Sequence, residues 1–199
     1  MSVNFQAIGI LSSVVFIIGD IPYILDTFKG KTKPHRVTWG IVFLLNAIGF
    51  LNQYASGARN SLWLFGAATL VTGVIFFSSF RFGVGGKSRL DIFAVVFSLL
   101  GVCFWIVLKE PFISIVANLL VGTICFLPAY KKAWLDPGSE TLSAYAFGSV
   151  SSALAAVSVG VLQLDLLLVF IVSTVLQIIM VAILLARRRT QVVLEKATS

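Results

Sequence analysis

Seven apolar stretches separated by short polar breaks run along the chain: Ala7–Leu25, Val37–Gln53, Ser61–Phe80, Leu90–Leu108, Phe112–Tyr130, Thr141–Leu162 and Leu164–Ala186. Each is close to the ~20 mostly apolar residues that a helix needs to cross the hydrocarbon of a bilayer. The pattern predicts an all-α polytopic membrane protein with seven transmembrane helices. The breaks carry helix-ending punctuation: Lys-Gly-Lys-Thr-Lys-Pro at 29–34, Gly-Val-Gly-Gly-Lys at 83–87, Lys-Glu-Pro at 109–111 and Asp-Pro-Gly-Ser at 136–139. They leave no room for a soluble domain, so any chemistry is expected inside the bundle or at its mouths.

Composition agrees with this reading. Hydrophobic residues make up 58% of the 199 and charged residues 12%, against about 25% charged in soluble domains. So few charges cannot coat a core of that size, and the aromatic and branched content excludes disorder. Cys103 and Cys125 lie within apolar runs and read as small buried hydrophobes. Met1–Gln6 holds no basic residue before a full-length apolar stretch, so the first helix is expected to be retained rather than cleaved.

The net charge of +7 changes the picture once it is placed on the chain. With the N-terminus outside, the inner segments hold Lys29, Lys31, Lys33, Arg36, Arg81, Lys87, Arg89, Lys131, Lys132, Arg187, Arg188, Arg189 and Lys196. The outer segments hold only Arg59 and Lys109. Basic loops stay cytoplasmic, which predicts an inner (plasma) membrane protein with its N-terminus outside and C-terminus cytoplasmic. Topology and attraction to anionic lipid account for the bases, and nucleic acid has no role.

The two ends of the chain repeat one plan. At an offset of 106 residues Pro128 falls on Pro22, each near the cytoplasmic end of its helix and followed by bases. At an offset of 105, Thr38 falls on Ser143, Asn46 on Ser151, Thr69 on Thr174 and Thr72 on Gln177. Two three-helix units keep the same orientation only if one further crossing joins them, so the plan is 3+1+3. Residues 1–82 form the first bundle, 83–110 the linker helix, and 111–199 the second bundle with a short basic tail. Parallel repeats of this kind are one established transporter plan.

Two short motifs accompany the plan. Asp20-Ile21-Pro22-Tyr23 leads to Lys33-Pro34-His35-Arg36-Val37-Thr38-Trp39, and Leu127-Pro128 leads to Ser139-Glu140-Thr141-Leu142-Ser143. In these the chain resembles the SWEET and PQ-loop (MtN3-like) superfamily of small seven-helix transporters, and the first motif looks like a divergent bacterial branch. Tyr23 and Ala129 stand where PQ-loop proteins have Gln, and the second helix of each half lacks the prolines of SWEET proteins. The resemblance implies alternating-access transport of a small polar solute, sugar-like or another small metabolite. It equally admits a receptor or assembly factor on the same fold.

Polar side chains in lipid are costly and are expected to face one another or a water-filled path. Asp20 is the one acid well inside a span, about 20 Å along the helix from Ala7, two residues before the helix-loosening Pro22. It reads either as a coupling acid or as a solvated group paired with Lys29 or Arg36. Candidate substrate-binding residues are Trp39, Asn46, Trp63, Thr72, Asn118 and Gln177; Pro22 and Pro128 are candidate gating residues alongside Asp20. Buried amides such as Asn46, Asn118 and Gln177 each carry four hydrogen-bonding sites, and small or hydroxylated residues also serve simple helix packing. Thr72 and Gln177 overlay on opposite third helices, where the resemblance places substrate-clamping residues. Trp105 reads as an interface anchor.

An enzyme is not expected. His35 is the single histidine, no hydrolase elbow or zincin motif occurs, and the last span has no lysine to hold retinal. The reading implies no metal and no cofactor. The expected partners are the lipid bilayer and a small-molecule solute, with homo-oligomerisation left open.

Overall fold

The computed structural model describes residues 4–55, 59–86, 88–108 and 111–198. Helices occupy all seven predicted stretches: α1 (Phe5–Phe28), α2 (Arg36–Ala55), α3 (Leu62–Phe82), α4 (Arg89–Leu108), α5 (Pro111–Leu135), α6 (Leu142–Ser158) and α7 (Leu164–Thr198). Among the described residues the only β-type pairing is a single bridge between His35 and Val84.

Helix ends follow local chemistry. Asn4 caps α1, its side chain accepting from the Ala7 N–H at 3.0 Å, so the helix starts ahead of the apolar run. α6 stops short of the predicted Leu162 because Gly160 takes a left-handed conformation (φ 72°), the usual device for ending a helix. α7 overruns its apolar stretch through Arg187–Arg189, and Arg188 is anchored on the carbonyls of Pro137 and Glu140. Pro22 and Pro128 sit inside continuous helices. Each removes a backbone donor without ending its helix.

Among the described residues three stretches are long and apolar enough to cross a bilayer: α1, α3, and Leu166–Gln191 within α7. α2 and α6 carry shorter apolar segments, Arg36–Leu51 and Leu142–Ser158. The burial pattern is inverted relative to a soluble bundle. The buried face of α1 holds Gly9, Ser12, Ser13, Gly19, Asp20, Tyr23 and Thr27, while Ile10, Leu11, Val14, Ile18, Ile21 and Leu25 are exposed. On α6, Ser151, Ser152, Ala155 and Ser158 are buried and Phe147, Val150 and Val157 exposed. Small and hydroxylated residues inside with branched apolar residues outside is the arrangement of helices surrounded by lipid.

Six helices close into a ring. α1 packs on α3, α3 on α2, α2 on α5, α5 on α7, α7 on α6, and α6 back on α1. α4 lies outside, against α5 and α2. One buried cluster joins Tyr23, Trp39, Ile75, Ala129, Tyr145, Met180 and Leu184 from all six ring helices, at the end that carries the basic loops. A second cluster, Leu64, Phe65, Ala155 and Phe170, closes the opposite end. Between them lies a more polar layer.

Candidate functional site

The site is built where α1 and α6 approach most closely. A Cβ placed on Gly19 would lie 2.2 Å from the Phe147 Cβ, so only glycine lets the two helices pack here. Ser151 donates across the seam to the Ser12 carbonyl at 2.7 Å, and Ser143 to the Gly19 carbonyl at 3.4 Å. Asp20, next along α1, is carried to the ring interior and is 2% exposed. No described side chain or backbone group hydrogen-bonds or ion-pairs with it. Arg36, one of its two expected partners, instead donates to the Ser79 carbonyl at 3.1 Å and lies over the Phe80 ring. Lys29, the other, is exposed. A buried carboxyl with no donor or cation among the described residues is unusual, because burial of a polar group costs free energy unless a partner replaces water.

Toward the basic loops an aromatic layer follows. Tyr23 is fully buried, and its ring centroid lies 4.9 Å from Trp39 and 6.3 Å, edge-on, from Tyr145. Trp39 Nε1 donates to the Tyr23 hydroxyl at 2.8 Å. The Tyr145 hydroxyl donates to Glu140 Oε2 at 2.8 Å, and Lys132 Nζ meets Glu140 Oε1 at 2.5 Å.

The buried acid Glu140 is positioned by its local sequence. Asp136-Pro137-Gly138-Ser139 forms a 3-10 turn in which the Ser139 hydroxyl bonds back to the Asp136 carbonyl. The turn returns Glu140 beneath the start of α6, where the helix N-terminus favours negative charge.

The same end carries the links between the loop after α1 and the loop before α6. Thr32 and Thr141 hydroxyls are 2.5 Å apart, and Thr141 also reaches Asp26 at 3.3 Å. The Lys33 N–H donates to the Ser139 carbonyl, and Lys132 donates to the carbonyls of both Lys33 and Ser139. The opposite end is held differently, by the Phe65–Phe170 ring contact at 5.5 Å and an Asn60 amide on the Ser158 carbonyl.

In the polar layer between, Asn46 is half-buried and its amide makes no hydrogen bond among the described residues. Gln177 donates to the Ser152 hydroxyl at 3.3 Å. Its Oε1 lies 1.8 Å from where a Cβ on Gly148 would stand, so Gly148 makes the space it occupies. Thr72 is buried and donates to the Ala68 carbonyl of its own helix at 2.5 Å. Trp63 is 51% exposed at the start of α3, away from the buried layer. The side chains of Asn118 and Trp105 lie outside the described residues.

The sequence pattern thus brings Asp20, Pro22, Trp39 and Pro128 to one end of the ring and puts Asn46, Thr72 and Gln177 on the helices of the polar layer. It missed Glu140 and Lys132, which read as loop charges. Their eight-residue separation spans a Pro-Gly turn, and that spacing was the available signal. No family model, no curated protein and no solved structure matches the chain.

Proposed function

We propose that this protein is a seven-helix inner-membrane carrier that moves a small polar solute by alternating access, with Asp20 as its coupling acid. The chain then crosses the membrane seven times with its N-terminus outside, as a 3+1+3 array whose two bundles rock about the polar layer. Support for the repeat comes from the ring itself. Replacing each of the first three helices by the helix four later, and the reverse, turns the α1–α3 pair into α5–α7, α2–α3 into α6–α7, and α1–α6 into α5–α2. A pseudo-two-fold axis along the membrane normal relates parallel repeats in just this way.

The observation that carries the function is Asp20, buried beside a seam between the halves with no partner among the described residues. Ionisable groups inside a membrane bundle mark ion and substrate pathways. The basic end, closed by the Tyr23–Trp39–Tyr145 layer and the Lys132–Glu140 pair, acts as the cytoplasmic gate. Pro22 and Pro128 each free a carbonyl in the helices that flank it. Asn46 and Gln177 offer amides to the solute, and the resemblance to SWEET and PQ-loop carriers points the same way.

A thermal-shift screen of the purified protein against sugars, amino acids and carboxylates selects the solute, and its uptake into proteoliposomes is then followed under a pH gradient. Wild type concentrates the solute with the gradient. Asp20→Asn retains solute exchange and loses the gradient dependence. Unchanged gradient dependence in Asp20→Asn removes the coupling role, and absence of both stabilisation and flux for every class overturns the carrier itself.

A further inference from the structure

His35, just before α2, is buried and walled in. The Arg36 N–H bonds to the Val84 carbonyl and the Val84 N–H to the Pro34 carbonyl, bringing the loop after α3 alongside. Gly85, at φ +92°, presses so near that a Cβ there would lie 2.4 Å from His35 Nε2. The imidazole joins three helices. Nε2 is 3.2 Å from Asp91 Oδ1 in α4, Nδ1 is 3.0 Å from the Thr38 hydroxyl in α2, and that hydroxyl is 3.0 Å from the Cys125 carbonyl in α5.

Counting protons makes this chain conditional. Asp91 Oδ2 already accepts the N–H groups of Gly86 and Ser88, so the carboxylate acts as acceptor and Nε2 carries a hydrogen. The Thr38 hydroxyl has one proton and two acceptors within reach, Nδ1 and the Cys125 carbonyl. With a neutral ring, Nδ1 keeps its lone pair, takes the Thr38 N–H at 3.4 Å and competes for the hydroxyl proton. With a charged ring, Nδ1–H donates to the Thr38 oxygen, and the hydroxyl proton has only the carbonyl left. We infer that protonation of His35 commits the Thr38 hydroxyl to Cys125 and so clasps α2 to α5, one of the ring's two seams between the halves.

The groups facing the ring bear on when this occurs. Burial holds the imidazole below the ordinary histidine range; Asp91 from α4 and Glu140 from the turn before α6 oppose this, and Lys132 from α5 reinforces it. Arg36, on the ring's own helix, is turned away to Ser79. The clasp therefore tightens on the acid side of neutrality. It stands on this geometry alone and does not depend on the carrier reading.

His35 is the single histidine, so ¹⁵N-histidine NMR of the full chain in nanodiscs reports it without ambiguity. The expected result on acidification from about pH 8 to 4.5 is a protonation in which Nδ1–H appears hydrogen-bonded. The Cys125 carbonyl ¹³C shift moves with the same midpoint. Thr38→Val removes the acceptor for Nδ1–H and lowers the midpoint by about one pH unit; Thr38→Ser restores it. A His35 that does not titrate, a Cys125 carbonyl that stays still through the transition, or a midpoint unchanged in Thr38→Val each overturns the clasp. The first two readouts use wild type alone and need no variant to fold.

Discussion

Removing Lys132 tests whether the closed end rests on a buried charge pair. The Glu140 side chain is 1% exposed and that of Lys132 12%, so the two partners are unequal. Lys132→Met keeps the aliphatic stem but leaves a carboxylate sealed from water and without its cation, held by tyrosine hydroxyls such as that of Tyr145. Breaking a buried pair from one side typically costs about 3–5 kcal/mol. It also withdraws the donor to the Lys33 and Ser139 carbonyls, which places the expected cost toward the upper part of that range.

Glu140→Gln is the milder change. Tyr145 keeps an acceptor, and the ammonium, nearer the surface, still has both carbonyls. About 1–3 kcal/mol follows from the lost charge-assisted bond. The double variant should cost less than the two singles together, with an interaction energy of about 1–3 kcal/mol. Guanidinium unfolding in detergent, followed by tryptophan fluorescence, measures all four. The reasoning is refuted if Glu140→Gln costs as much as Lys132→Met and the two effects add.

Two other consequences are open to direct measurement. Gly19→Ala forces a methyl to 2.2 Å from Phe147; overpacking of this kind costs about 1–3 kcal/mol, whereas Gly66→Ala, with its nearest neighbour at 3.5 Å, should melt within a degree or two of wild type. For pH, His35 binds its proton less readily folded than unfolded because burial lowers it. The unfolded chain therefore holds more protons below the ordinary histidine value, and stability falls as pH drops from about 6.5 through the folded value. His35→Asn, which keeps a helix-capping acceptor for the Thr38 N–H, should flatten that part of the stability profile; an unchanged slope sinks the assignment.

The helices are legible because length and hydropathy in lipid leave little choice: all seven begin within two residues of the predicted position, and α5, α6 and α7 differ mainly at their C-terminal ends. Asp20 was legible for the same reason: a single acid in an apolar run stands out. The gate was not. Glu140 and Lys132 sit in a break between apolar stretches, where a charge reads as solvated. Only the tertiary return of the Pro137–Ser139 turn buries the acid. His35 likewise read as one more residue of a basic loop, and its burial depends on a loop nearly fifty residues away. Trp63 shows the converse. As a candidate binding residue it is expected to face the interior, yet the buried face of that helix runs through Leu64, Phe65, Ala68 and Thr72, and a residue read without its neighbours cannot say which side they will cover.

Two of the buried acids, Asp20 and Glu140, divide the proposed cycle between them. Glu140 is held by Lys132 and Tyr145 and lies below the Tyr23–Trp39–Tyr145 layer; Asp20 has no partner among the described residues and lies above it. The basic end cannot part while Lys132 and Tyr145 hold Glu140, because separation would strand a charge in a low-dielectric seam. Water must reach Glu140 first, and only then can the aromatic layer part to give Asp20 access to the cytoplasm. Among the described residues the opposite end shows no such charge pair: the Phe65–Phe170 contact there is apolar. The carrier reading therefore orders the events. A reporter cysteine at Ala144, beside the aromatic layer, in a background lacking Cys103 and Cys125, should react with a membrane-impermeant maleimide faster in Lys132→Met than in wild type. Asp20→Asn, acting one layer deeper, should leave that rate unchanged. Equal acceleration in both would mean that the two acids form one unit and that the layer between them is not a barrier.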